Sequence, residues 1–162
     1  MIKVYENIFC GNQLDEHSIK HLDDWVILHC CKIPYHMSMV GYKKSSLPPN
    51  HPDYKYKIQG KRMALNLVDI DLFNLNYIEF NYEMFTKAFE FLDGFQQIHN
   101  VLIHCNQGES RGPMVTMLYL KHLGLYKNKT FLDAYLEFKN RYPALKPKNY
   151  IYRTVESLWD RF

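Results

Sequence analysis

Between Val101 and Pro113 the chain runs Val-Leu-Ile-His-Cys-Asn-Gln-Gly-Glu-Ser-Arg-Gly-Pro. The apolar run that ends at His104 has the length and composition of a short buried strand. Gly112-Pro113 then opens a helix that ends near Leu123-Gly124, because proline suits the first helical turn and glycine the position just past the last. Strand, short glycine-bearing loop and helix start, in that order, build an anion site. Successive loop N–H groups can turn inward, and the helix dipole adds positive potential. Gly108 permits backbone angles that a side chain would oppose. Arg111 supplies a planar fork that holds two phosphate oxygens at once, which lysine cannot do. The same field favours the thiolate of Cys105, the nucleophilic form, and a thiolate facing a phosphate ester forms a covalent phosphocysteine. Cys105 and Arg111 are therefore the candidate catalytic residues. Asn106, Gln107, Gly108, Glu109, Ser110 and Arg111 are the candidate phosphate loop.

Outward from this segment, strands and helices alternate. Upstream, Lys3 to Cys10 reads as a first strand ending at Gly11-Asn12, and Asp15 to Leu22 as a short helix. Trp25 to Cys31 is a continuous apolar run of the kind buried on both faces. Residues 33–60 carry Pro48-Pro49 and His51-Pro52 among Lys, Tyr and His, which predicts a surface loop without regular structure. Met63 to Val68 is the next strand. A helix follows within 76–98, with Phe85, Phe89, Leu92 and Phe95 at helical spacing. Downstream, helices are predicted over about 129–141 and 149–161, separated by Pro143 and Pro147. The expectation is a single α/β domain over 1–162: a central, mostly parallel sheet flanked by helices, with the phosphate loop between a strand and a helix.

Bulk properties narrow the function. A length of 162 residues allows one domain with a real core, and 15% aromatic content argues against disorder. A net charge of +3 without any long Lys/Arg run speaks against nucleic acid as a partner, while suiting a local anionic substrate. No apolar run approaches the ~20 residues of a membrane span, and the N-terminus has no signal-peptide core. The 4 cysteines form no disulfide framework, so a reducing, cytoplasmic setting is expected. His29, Cys30, Cys31 and His36 invite a metal reading. In a strand, however, His29 and Cys31 share one face and Cys30 takes the other, so no metal site is expected. His36, Lys32 and Tyr42 are instead candidates to line a substrate cleft.

His104-Cys105-X5-Arg111 matches the His-Cys-X5-Arg signature of the cysteine-dependent protein tyrosine phosphatases. The string VLIHCNQGESR resembles the dual-specificity branch, and HCNQGESR is similar to compact bacterial and phage members. The resemblance covers about 63–160, with most of its specificity in 101–113. It implies hydrolysis of phosphate monoesters, phosphotyrosine and also phosphoserine or phosphothreonine, with no metal or organic cofactor. Phosphate or sulfate would bind in the loop, and the partner would be a phosphorylated protein or another phosphomonoester. It gives His104 a supporting role behind the loop. It also implies an acid from a loop upstream of the cysteine. Asp69, five residues before Asn74 in an Asp-X4-Asn pattern, is the first candidate and Asp71 its rival.

One position departs from the family. Many members place Ser or Thr directly after the arginine, where the hydroxyl helps the thiolate leave; here Gly112 stands there. Slow phosphoenzyme breakdown follows as an expectation, with Gly112→Ser expected to speed it provided the backbone at 112 tolerates a side chain. Two alternatives stay open: a phosphatase of non-protein substrates such as RNA 5′-phosphates or phosphoinositides, and a catalytically weak phospho-binding module. Arsenate reductases and low-molecular-weight phosphatases carry their Cys-X5-Arg loop at the N-terminus, unlike this chain.

Overall fold

The computed structural model describes residues 1–43 and 46–162; Lys44 and Ser45, inside the stretch expected to be loop, lie outside the described residues. Six strands form one sheet: β1 (Ile2–Tyr5), β2 (Ile8–Gly11), β3 (Trp25–His29), β4 (Tyr56–Gln59), β5 (Arg62–Leu65) and β6 (Asn100–His104). Their order is β1-β2-β6-β3-β5-β4. The inner pairs β2–β6, β6–β3 and β3–β5 are parallel, and the two edges are antiparallel. Six helices complete the α/β domain: α1 (Gln13–Ile19), α2 (Met37–Val40), α3 (Ile78–Asp93), α4 (Arg111–His122), α5 (Phe131–Arg141) and α6 (Asn149–Leu158). None of the described helices is long and apolar enough to cross a membrane.

Alternation along the strands assigns their faces. Val101, Ile103, Val26 and Leu28 join the main core beneath α3, α4, α5 and α6. Ile27 and Leu102 point the other way, packing with Ile19 of α1, Phe9 and Trp25. His29 and His104, in direct register across β3 and β6, stand on that second face. Helix α3 buries Met84, Phe85, Ala88, Phe89 and Leu92, the helical spacing that the sequence carries.

Two expectations need correction. Lys3 to Cys10 is a hairpin rather than one strand: Glu6 adopts φ 37°, and β1 and β2 pair antiparallel about Glu6-Asn7. The turn is held by long-range contacts, since the Asn7 side chain donates to the carbonyls of Gln96 and His99. The 33–60 stretch is also more ordered than its prolines imply. A wide helical turn over Lys32–His36 leads into α2, which ends at Gly41 with φ 88°, and Tyr56–Gln59 forms the edge strand β4. Gly60, at φ 57°, makes the turn that pairs β4 with β5. The prolines at 48, 49 and 52 fall in irregular backbone within 46–55.

Phe89 is buried where α3 meets α4, with ring centroids 5.2 Å from Tyr119 and 5.0 Å from Phe162. Phe89→Ala is expected to lower the unfolding free energy by about 3–5 kcal/mol, read from the urea midpoint at unchanged slope. A loss under about 1 kcal/mol would place the centre of the core elsewhere.

Candidate active site

Strand β6 ends at His104, and the chain then turns through Cys105–Ser110 into α4, whose first residue is Arg111. The loop is shaped from outside by its carbonyls. That of Asn106 accepts from Gln13 N–H at 3.2 Å, that of Gly108 from the Tyr142 hydroxyl at 2.8 Å, and that of Glu109 from Lys146 N–H at 2.7 Å. In a trans peptide the N–H points opposite to the C=O, so carbonyls tied outward turn N–H groups toward the middle of the loop. The Asn106 side chain donates to the Ile33 carbonyl at 3.0 Å, fixing the loop to the segment after β3. Gly108 sits at φ 73°, and a Cβ there would lie 2.9 Å from the Gly11 carbonyl oxygen. Glycine is required at 108 on both counts.

Cys105 is 2% exposed and Arg111 6%. The guanidinium donates from Nη1 to the Leu67 carbonyl at 3.1 Å and lies 3.7 Å from Asp69 through Nη2, while its buried Nε has no hydrogen-bond partner among the described residues. Asp69 is drawn to the loop from the far side. Its Oδ1 accepts from the Ser110 hydroxyl at 3.3 Å, and Lys148 Nζ stands 3.8 Å from its Oδ2. The Lys148 N–H donates to the Ser110 oxygen at 3.1 Å, so one hydroxyl links Asp69, the 105–110 loop and the start of α6. Asp71 is exposed and is held through its backbone carbonyl by Asn149. The fold thus brings Asp69 to Ser110 and Arg111, at the end of the loop that Cys105 opens, and leaves the Asp71 side chain at the surface.

On the other face of β6, His104 Nε2 lies 2.6 Å from His29 Nδ1, and His104 Nδ1 lies 3.4 Å from the Cys105 carbonyl oxygen. Burial holds both imidazoles neutral, taking His104 down to about 4 and His29 well below its ordinary value. The pair was not legible as such, because a histidine at the end of an apolar run shows no partner until strand register is known. The other thiols are poor nucleophiles. Burial pushes Cys10 and Cys31 up to about 12 and Cys30 well above its usual value.

Two expectations change at close range. His36 is fully buried and bonds the Tyr42 hydroxyl at 3.0 Å and the Asp53 carbonyl at 2.8 Å, so it ties down the chain before β4 instead of lining a cleft. Tyr42 borders a cavity of about 520 Å³ with Ile33, whose carbonyl the Asn106 side chain holds. Lys32 does border a cavity of about 200 Å³ with Val68 and Ile70, the neighbours of Asp69. Gly112, finally, has no room for a side chain: a Cβ there would lie 2.8 Å from the Cys105 nitrogen and 2.9 Å from the His104 carbonyl carbon. The expectation that serine at 112 would simply supply a missing hydroxyl does not survive this contact.

No family model matches the sequence. Among solved structures, the chain is similar to the human tyrosine phosphatase-like serine/threonine/tyrosine-interacting protein, at 18% identity over 99% of this chain and 96% of that one, with a TM-score of 0.63. It is similar to the phosphatase domain of Yvh1 from Chaetomium thermophilum, at 18% identity, 99% and 94% coverage and a TM-score of 0.61. Human DUSP28 matches at 13% identity, 99% and 96% coverage and a TM-score of 0.60. The fold is that of the dual-specificity phosphatases.

Because the obstacle at Gly112 is backbone and not a movable side-chain tip, Gly112→Ser is expected to lower the melting temperature by several degrees and weaken inorganic phosphate binding at least ~10-fold. Thermal unfolding and calorimetric titration measure the two. A serine variant as stable as the wild type with equal phosphate affinity would overturn the close-approach account.

Proposed function

We propose that the protein is a cysteine-dependent phosphatase of phosphorylated protein side chains, phosphotyrosine foremost and phosphoserine or phosphothreonine with it. The observation that carries this reading is the 3.7 Å approach of Arg111 and Asp69 at the end of the loop that Cys105 opens, a loop whose carbonyls are held by donors from other segments. The unpaired Arg111 Nε is a donor suited to a phosphate oxygen.

In the first step the Cys105 thiolate attacks phosphorus; the S–P bond forms as the ester P–O bond breaks. Asp69 gives its proton to the leaving oxygen. Arg111 and the loop N–H groups take the charge on the three equatorial oxygens. In the resting site Asp69 faces two cations, Arg111 and Lys148. A bound phosphate dianion competes with Asp69 for the Arg111 fork. In the second step water attacks phosphorus, Asp69 takes its proton, and the S–P bond breaks to restore the thiolate and release phosphate.

A second reading, a receptor that binds phosphate esters with little turnover, rests on residue 112, which brings no hydroxyl to the departing sulfur. Nearby hydroxyls are engaged elsewhere: Thr116 donates to the Gly112 carbonyl at 2.8 Å and Ser110 to Asp69. Non-protein phosphomonoesters are a third class, tested by running RNA 5′-phosphates and phosphoinositides beside phosphopeptides.

Cys105→Ser is expected to abolish turnover of an aryl phosphate while keeping phosphate affinity, since the loop amides and Arg111 remain; full turnover by this variant refutes the covalent route. Asp69→Asn should slow phosphopeptide hydrolysis by about 10²–10⁴-fold and an activated aryl phosphate far less, with Asp71→Asn near wild type. The reverse pattern would move the acid to Asp71. Rapid mixing of the wild type with an activated aryl phosphate should show a product burst equal to the enzyme concentration, because the second step lacks hydroxyl assistance. Linear release from time zero would make the first step limiting.

A further inference from the structure

We infer that His29 is a positioning residue for the catalytic loop, acting through His104 on the Cys105 peptide. The inference rests on the phosphatase reading only for its meaning in turnover; its geometry stands apart. His29 and His104 are register partners on adjacent parallel strands, 1% and 0% exposed, with ring nitrogens 2.6 Å apart. Next in each strand's course come Cys30 and Cys105, joined by the Cys30 N–H donating to the His104 carbonyl at 2.8 Å. The imidazole pair therefore sits on one face of the sheet directly behind the point where the loop begins.

Proton placement follows from counting. Burial keeps both rings neutral, so each carries one N–H, and a single hydrogen lies between His29 Nδ1 and His104 Nε2. If His104 supplied it, His104 Nδ1 would turn a lone pair toward the Cys105 carbonyl oxygen 3.4 Å away, acceptor against acceptor. If His29 supplies it, His104 is free to donate from Nδ1 to that carbonyl. The second arrangement satisfies both of these contacts, so His29 Nδ1–H selects the His104 tautomer that grips the first peptide of the loop. That grip fixes the plane in which the chain leaves Cys105, and with it the direction from which the thiolate meets the loop amides.

The surroundings fix the His29 ring in turn. Tyr35 stacks on it at 4.3 Å and meets His104 edge-on at 5.0 Å. The Tyr35 hydroxyl donates to Glu16 Oε2 at 3.1 Å, and Glu16 Oε1 lies 3.7 Å from Arg62. His29 also borders a cavity of about 370 Å³ whose charged and titratable walls are Glu16, His17 and Lys20 from α1, Tyr35, and Arg62 from β5. None of these groups stands between the two imidazoles.

The test is alkylation of Cys105 by iodoacetamide, followed by peptide mass spectrometry from pH 6 to 9, with steady-state turnover alongside. The thiolate is the reacting form, so the rate at low pH reports how well the loop stabilises it. His29→Phe keeps the stack on Tyr35 and removes the donor. It should alkylate roughly 10-fold more slowly than wild type at pH 6, the scale of loss usual when a hydrogen-bond partner behind a reactive ligand is removed, and equally fast at pH 9. His29→Asn can place an amide nitrogen where Nδ1 stands and should recover the wild-type profile; His29→Gln reaches the Nε2 position and should not. Circular dichroism and melting temperature establish folding. A folded His29→Phe protein with the wild-type alkylation profile overturns the inference. Should His29→Phe not fold, equal profiles for His29→Asn and His29→Gln overturn it, because a structural role would not distinguish where the amide sits. Alkylation needs no substrate, so a wild-type protein without turnover sinks the phosphatase reading and leaves this one standing, and the converse also holds.

Discussion

The first turn of α4 rests on the backbone at the end of β6 so closely that nothing larger than hydrogen fits between them at residue 112. The consequences reach the whole site. A helix pressed onto the strand that feeds it leaves Cys105–Ser110 only a tight detour in which to reverse direction. The loop must then fold over the helix N-terminus, where unpaired N–H groups and the dipole concentrate positive potential. Arg111, as the first helical residue, is carried under that detour and not out to solvent.

A loop bent this sharply needs restraint, and the restraint arrives from separate parts of the chain. Gln13 comes from the start of α1, Ile33 from the turn after β3, Tyr142 from the end of α5, and Lys146 and Lys148 from the segment before α6. Each satisfies an outward-facing group of the loop, so the inward-facing N–H groups are left for an anion. The same segment at Lys148 and Asn149 also holds the Asp69–Asp71 stretch. The loop and Asp69 are therefore registered to each other through the start of α6, an element far from both in sequence. Orienting donors before a substrate arrives removes much of the reorganisation that charge development would otherwise require.

How much of this was legible in the sequence divides along the range of the interactions. The site's core could be read because strand end, cysteine, glycine, arginine and helix start are contiguous, and local rules suffice for contiguous residues. Asp69 could be read only as one of two candidates, since the choice depends on Ser110 and Lys148 reaching it through space. The hairpin at Glu6-Asn7 was missed because its turn is secured by carbonyls of Gln96 and His99, not by local turn chemistry. Strand β4 was missed because an edge strand, half exposed, carries a weak alternation, although Gly60 marked its turn. The His29–His104 contact depends on parallel register, which no single strand encodes. Gly112 misled for a related reason. From sequence it is the absence of a hydroxyl; in space it is the presence of a neighbouring backbone.

The distribution of charge follows from the same geometry. Behind the loop, the buried thiols of Cys10, Cys30 and Cys31 and the two imidazoles are all held neutral by burial. They add no net charge to the field at Cys105, which is then set by Arg111, Lys148, the loop amides and the helix end, with Asp69 opposing. A ground state in which Asp69 answers the two cations collects stray anions less strongly than an unopposed cluster would. On the proposed chemistry a phosphate ester in the loop replaces Asp69 as the partner of Arg111, and the carboxyl so released hands a proton to the leaving oxygen. On the proposed chemistry, then, the ion pair between Asp69 and Arg111 is the resting form of the acid, and substrate binding is the event that arms it.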